Sequence, residues 1–194
     1  MATNIEIEAK VLVNEEEYQN IISIYEDKIT GEFDQTNFYI DSNDFDLKKI
    51  GVGLRVRMRD NIYSLTLKAP MAEGLLEKEN PITEAQFRAL QKKNIIPECD
   101  IKEFIKMLGI DPDILKVQTS LLTTRKNIYV EDETISLCLD KNIYNGLTDY
   151  EIECGGTSLS KAKDYLKRVC SICNLLYKDN PKSKETRALE TLKK

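Results

Sequence analysis

The chain has 194 residues, 41% of them hydrophobic and 31% charged, with a net charge of −5 and no histidine. That length and apolar share suit one globular domain over residues 1–194 with a sizeable core, and the acidic balance argues against a general nucleic-acid surface. Without histidine, neither a Ser-His-Asp or Cys-His nucleophile nor a histidine-based zinc site can be assembled.

The chain reads without a signal peptide or an apolar run long enough to cross a bilayer, so a cytoplasmic protein without membrane partners is expected. The five cysteines, Cys99, Cys138, Cys154, Cys170 and Cys173, lack framework spacing and suit a reducing compartment.

In chain order, the alternation of charge and hydrocarbon over Ile5-Glu6-Ile7-Glu8-Ala9-Lys10-Val11-Leu12-Val13 predicts a strand over 4–13. Asn14 then starts a helix from Glu15 to Lys28 with Tyr18, Ile21, Ile22 and Tyr25 on one face. Strands follow at 33–41, 53–60, 62–69 and 73–80, with a tight hairpin at Asp60-Asn61. Thr83 caps a helix through Lys93, Cys99–Leu108 forms a second short helix, and strands at 115–131, 134–141 and 148–154 precede a helix at 158–177. In that helix Leu166, Val169, Ile172, Cys173 and Leu176 make the buried stripe, and Thr157 or Ser158 its cap. The Cys170-x-x-Cys173 pair therefore reads as core packing, because zinc would need two further ligands. Gly51-Val52-Gly53 leads into a strand, which excludes a dinucleotide fingerprint. The basic stretch from Asn180 to Lys194 is either a lid or a solvated tail.

Successive strand side chains point to opposite faces, so Glu6, Glu8 and Lys10 share a face, as do Arg55 and Arg57. Arg59 has the same parity but sits beside the turn, at the rim. Half-exposed antiparallel strands also alternate. Here, however, the polar faces carry almost pure charge, acids on some strands and bases on others. An α+β fold with an eight-stranded antiparallel β-barrel, a charged lumen and helices packed outside accounts for all the strands together. Such a lumen would hold a polyanion and a metal.

Six ordered pieces, Glu6-x-Glu8-x-Lys10, Leu54-Arg55-Val56-Arg57, Leu65-Thr66-Leu67-Lys68, Thr124-Arg125, Leu139-Asp140 and Glu151-Ile152-Glu153, resemble the CYTH family of triphosphate tunnel metalloenzymes. That family includes thiamine triphosphatases, inorganic triphosphatases and class IV adenylate cyclases. The resemblance covers essentially the whole chain, and Gln35-Thr36-Asn37-Phe38-Tyr39-Ile40-Asp41 and Gly74-Leu75-Leu76-Glu77 look most similar to its Firmicute branch.

The resemblance implies a tunnel that binds a triphosphate and Mg²⁺ or Mn²⁺. Lys10, Arg55, Arg57, Lys68 and Arg125 would cradle the phosphates, arginine by bidentate contact and lysine as a point charge. Glu6, Glu8, Asp140 and Glu153 would hold the metal, with Glu77 as a further candidate. Lys10, Lys68 and Glu151 would occupy catalytic positions, and family likeness adds Lys182, Lys184 and Arg187 near the C-terminus as substrate contacts. Three functions fit: hydrolysis of inorganic triphosphate, thiamine triphosphate or a nucleoside triphosphate; cyclisation of ATP; or non-catalytic sensing. The expected partner is a small-molecule triphosphate, with no nucleic acid and a monomeric or homodimeric state. Phe38, Tyr39 and Tyr63 are the few aromatics expected near the lumen, so no adenine-stacking site is evident.

Overall fold

A computed structural model describes residues 2–193. The chain divides into two compact units, the first comprising residues 2–5, 35–121 and 184–193, the second residues 6–34 and 122–183.

The described strands are β1 (Ala2–Glu6), β2 (Glu8–Val13), β3 (Ile29–Asp41), β4 (Gly53–Arg59), β5 (Ile62–Pro70), β6 (Leu75–Ile82), β7 (Lys116–Ile128), β8 (Ser136–Tyr144) and β9 (Leu147–Gly155). Their hydrogen-bonded order is β1-β6-β5-β4-β3-β7-β8-β9-β2. The sheet thus has nine strands among the described residues, where eight were expected. The extra one arises because the N-terminal strand breaks at Ile7: β1 pairs with β6, whereas β2 pairs with β9. The Ile7 carbonyl accepts from Gly156 N–H at 3.0 Å. The two ends of the strand order are therefore consecutive pieces of chain.

In the first unit, alternation places Ile40, Leu54, Val56, Leu65 and Leu67 on the buried side of β3, β4 and β5. They pack with Phe87 and Leu90 of α3 (Glu84–Lys93) and Ile101 and Ile105 of α4 (Asp100–Met107). Helix α3 starts where the sequence says it should. Thr83 accepts from Gln86 N–H while Gln86 accepts from Thr83 N–H, a reciprocal capping box. The β4–β5 hairpin turns on Asp60 and Asn61, both at positive φ, as a tight two-residue turn requires.

A four-residue helix, α2 (Asp46–Lys49), was not foreseen. Too short to stand on propensity, it is held by the buried Asp41 carboxylate, which accepts from Ser42, Leu47 and Lys48 N–H at 2.8–3.1 Å.

In the second unit, Ala9, Val11, Leu137, Leu139, Ile152 and Cys154 form the apolar side of β2, β8 and β9. They pack against α1 (Glu15–Tyr25) and α5 (Leu159–Ile172). Helix α1 begins with an Asn14–Glu17 capping box and gives way to a 3₁₀ turn at Glu26–Lys28, three residues earlier than expected. Helix α5 is capped by Ser158, which accepts from Lys161 N–H at 3.2 Å.

The stripe expected on α5 is partly wrong. Ala162, Leu166, Val169, Cys170 and Cys173 are buried, whereas Ile172 and Leu176 are 63% and 86% exposed. The helix ends at Ile172, so Leu176 lies beyond its last turn, and the packed arc is rotated toward Cys170. Burial pushes the Cys170 thiol up to about 11 and the Cys154 thiol up to about 12, which makes both poor nucleophiles. Among the described residues no helix is long and apolar enough to cross a membrane.

Candidate active site

Antiparallel pairing gives each unit one face of chemical interest, because residues directly opposite one another project to the same side. In the second unit, one row runs Arg125–Asp140–Glu151–Leu12 and the next Asn127–Cys138–Glu153–Lys10. Lys10, Arg125, Asp140, Glu151 and Glu153 therefore project to one side, opposite the Ala9–Val11–Ile152 core, while Glu6 lies on β1, before the break at Ile7.

Arg125 reaches Asp140 bidentately, Nε to Oδ1 at 2.8 Å and Nη2 to Oδ2 at 2.7 Å, and donates to Glu153 at 2.9 Å. Burial works against its charge, but Glu153 and Asp140 outweigh it and hold the guanidinium above its ordinary value. Asp140 and Glu151 are fully buried, and the carboxylates of Asp140, Glu151 and Glu153 lie within 4.8 Å of one another. Lys10, 9% exposed, donates to Glu8.

Four carboxylates, Glu8, Asp140, Glu151 and Glu153, thus share this face with two cations, Lys10 and Arg125. Buried ion pairs seldom recover their desolvation cost in full. A cluster of hard oxygen donors carrying excess negative charge fits a divalent ion such as Mg²⁺ or Mn²⁺, which takes a few carboxylates and leaves its other positions to water or phosphate.

In the first unit the exposed parity of β4 carries Gly53, Arg55 and Arg57. On one side stand Tyr39 and Asn37 of β3, on the other Lys68, Thr66 and Ser64 of β5. Glu77 of β6 lies opposite Lys68, with its Oε2 3.1 Å from Lys68 Nζ and 3.8 Å from Arg55 Nη2. Glu77 therefore stands among cations of the first unit, and the close carboxylate triad does not include it. Arg59 is at the rim as expected, its side chain 48% exposed beside Asp60. Arg57 Nε donates to Asn37 Oδ1 at 3.0 Å, while Arg55 Nε is buried without a hydrogen-bond acceptor.

Two of the aromatics expected near the lumen are elsewhere. Phe38 and Tyr63 have the opposite parity and pack on Phe87, ring centroids 4.6 and 5.0 Å away, so only Tyr39 is on the charged face.

The C-terminal basic stretch is ordered differently in its two parts. In the second unit, Asn180 N–H donates to the Lys10 carbonyl at 2.9 Å, and Lys182 N–H donates to Asn180 Oδ1 at 3.2 Å. In the first, α6 (Lys184–Glu190) buries Arg187, Ala188 and Leu189, with Lys184 half-buried. Sequence reasoning passed over Glu185. Its carboxyl lies against Gly53 and accepts from Leu54 N–H, and desolvation pushes it up to about 8 against the pull of Arg55. Asn37 was passed over too, although its parity places it on the face of Arg55 and Arg57, opposite Arg57.

The CYTH domain model matches residues 4–189. The chain belongs to the CYTH family. It is 35% identical over 153 residues to YjbK of Bacillus subtilis, a protein whose name provisionally calls it a triphosphatase, across 79% of this chain and 78% of YjbK. A Bacillus halodurans crystal structure, provisionally called an adenylate cyclase, is similar with a TM-score of 0.87 and 31% identity, covering 96% of this chain and 98% of that one. The Hippeastrum protein HpAC1, said to have a dominant triphosphatase activity, shares the fold at a TM-score of 0.75 and 21% identity, over 96% and 95% of the two chains.

Proposed function

We propose that this CYTH protein is a divalent-metal-dependent triphosphatase. The observation that carries the reading is the first unit's charged strand face, where Arg55, Arg57 and Lys68 stand together and a buried Arg55 N–H has no acceptor. A triphosphate bears about four negative charges, and a partly desolvated site takes it only where cations are already in place. Arg55 and Arg57 bind phosphate oxygens through planar donors, with Lys68 as a point charge. In the second unit Lys10, Arg125 and Lys182 are assigned to phosphate binding, and in the first Lys184 and Arg187 are assigned to it beside Arg55, Arg57 and Lys68.

Asp140 and Glu153 would hold the metal, with Glu6 and Glu8 as further ligands and the Glu151 carboxylate close beside them. Bound there, Mg²⁺ or Mn²⁺ would offset phosphate charge and acidify water. With no histidine in the chain, the protein's own proton acceptor is a carboxylate, assigned to Glu151, and Lys10 in the second unit and Lys68 in the first are each assigned to neutralising phosphate charge. Water adds to the terminal phosphorus as its bridging P–O bond breaks. Inorganic triphosphate then yields phosphate and pyrophosphate.

Cyclisation of ATP would also require recognition of the base. The placement of Phe38 and Tyr63 in the core supports hydrolysis over it. The test is a panel of inorganic, thiamine and nucleoside triphosphates with Mg²⁺ or Mn²⁺, reading phosphate, pyrophosphate and cyclic AMP separately. Metal-dependent phosphate release without cyclic AMP is expected. Cyclic AMP and pyrophosphate from ATP would make the protein a cyclase, and binding without turnover would make it a sensor.

A further inference from the structure

Asn37 is 1% exposed and stands opposite Arg57 across the β3–β4 pair, two register positions from Tyr39 and Arg55 and so on the same face. Its two polar atoms fare differently. Oδ1 accepts from Arg57 Nε at 3.0 Å, whereas Nδ2 is buried and has no hydrogen-bond partner. The arginine also decides which amide atom is which, since a guanidinium N–H can only donate and so must face the oxygen. Turning the amide over would set two donors against each other.

A buried N–H without an acceptor costs about 1–3 kcal/mol, so its presence calls for an explanation. The next arginine on the same face repeats the pattern, with Arg55 Nε also buried and unaccepted. Both orphan groups are donors, and both belong to the strand pair that carries the cations. Two unmet donors on adjoining strands match the oxygens of an anion, which only accept.

We propose that Asn37 is a phosphate-binding residue that also positions Arg57: Oδ1 holds the guanidinium in place, while Nδ2 donates to an oxygen of the same phosphate chain that Arg55 engages. The role rests on the triphosphate reading above. It makes Asn37 more than a strand residue, because its amide spans two tasks that neither an aliphatic nor an acidic side chain can combine.

Asn37→Asp separates the tasks. The substituted carboxylate still accepts from Arg57 but has no N–H to offer, and it repels phosphate. Calorimetric titration of the full-length protein with inorganic triphosphate, beside apo thermal melts, reads both. In Asn37→Asp, triphosphate affinity should fall by at least about tenfold, as expected for losing a hydrogen bond to a charged group, while the apo melting temperature holds or rises. In Asn37→Ala, affinity should fall without a large drop in apo stability, because the orphan donor is removed along with the Arg57 contact. Unchanged triphosphate affinity in both variants, with a lower apo melting temperature, would reduce Asn37 to a structural residue and leave the triphosphate reading standing. A wild-type protein that binds no triphosphate would overturn both.

Discussion

The Glu185 carboxyl lies against Gly53, the residue that opens the strand carrying Arg55 and Arg57. A Cβ on Gly53 would collide with Glu185 Oε2, so the glycine and the glutamate are fitted to each other. Burial raises the carboxyl from its usual 4.5 to about 8, with Arg55 and Lys68 opposing the shift and Asp41 adding to it.

That shift makes stability depend on pH. In the unfolded chain Glu185 ionises near its ordinary value, whereas the folded protein keeps it protonated toward pH 8. The folded state therefore binds the extra proton, and stability present below about 4.5 is lost as pH rises through about 8. Glu185→Gln should flatten the curve in that window and gain on the order of 1 kcal/mol relative to wild type between pH 5 and pH 8, since one pKa unit is worth about 1.4 kcal/mol and the residue is only half-buried. Urea melts at the two pH values measure this, and parallel wild-type and variant curves would refute it.

Gly53→Ala should destabilise the first unit by at most about 1 kcal/mol, because what the new methyl meets is the end of the Glu185 side chain, which can turn away at the loss of its bond from Leu54 N–H. The double variant Gly53→Ala/Glu185→Ala should recover most of the loss, because the carboxyl that the new methyl meets is gone. Thermal melts of the four proteins give the coupling, and additive effects would mean that the two residues do not oppose each other.

Replacing Arg55 or Arg57 with alanine should weaken triphosphate binding by about 1.5–3 kcal/mol, the range for a hydrogen bond to a charged group. Stability should change little, because Arg55 has an incomplete set of partners and its Glu77 contact is long, at 3.8 Å. Calorimetric titration with inorganic triphosphate tests this. Undiminished affinity in both variants would remove these arginines from the substrate site.

In the second unit, removing Asp140 and removing Glu151 should have different consequences. Asp140 is the bidentate partner of Arg125, so Asp140→Ala leaves a buried guanidinium short of its counter-charge and should cost about 3–5 kcal/mol of stability. Glu151→Gln keeps the shape and removes one charge from the carboxylate triad, so Mn²⁺ affinity should fall while the protein stays folded. Glu6→Gln should weaken Mn²⁺ less, because Glu6 is outside that triad. Titration with Mn²⁺ would reverse this ranking if Glu6 and Glu8 were the principal ligands.

Which side of each strand bears charge was legible in the sequence, because strand geometry leaves only two choices per residue. Arg55 and Arg57 lie opposite Leu54 and Val56, and Glu151 and Glu153 opposite Ile152, as alternation requires. The caps at Asn14, Thr83 and Ser158 and the turn at Asp60-Asn61 were equally readable, since each is decided by contacts within a few residues.

Partnership between distant residues was not readable. Nothing local to Asp41 announces that it will hold α2, nothing in Lys184-Glu185-Thr186 places a carboxyl against Gly53, and nothing near Ile7 announces that its carbonyl will accept from Gly156 N–H. The same limit applies to Asn37, whose amide gains meaning only once strand pairing sets it opposite Arg57. Side-chain parity follows from the chain's own backbone; register, burial and the cost of an unmet donor exist only after remote segments have come together.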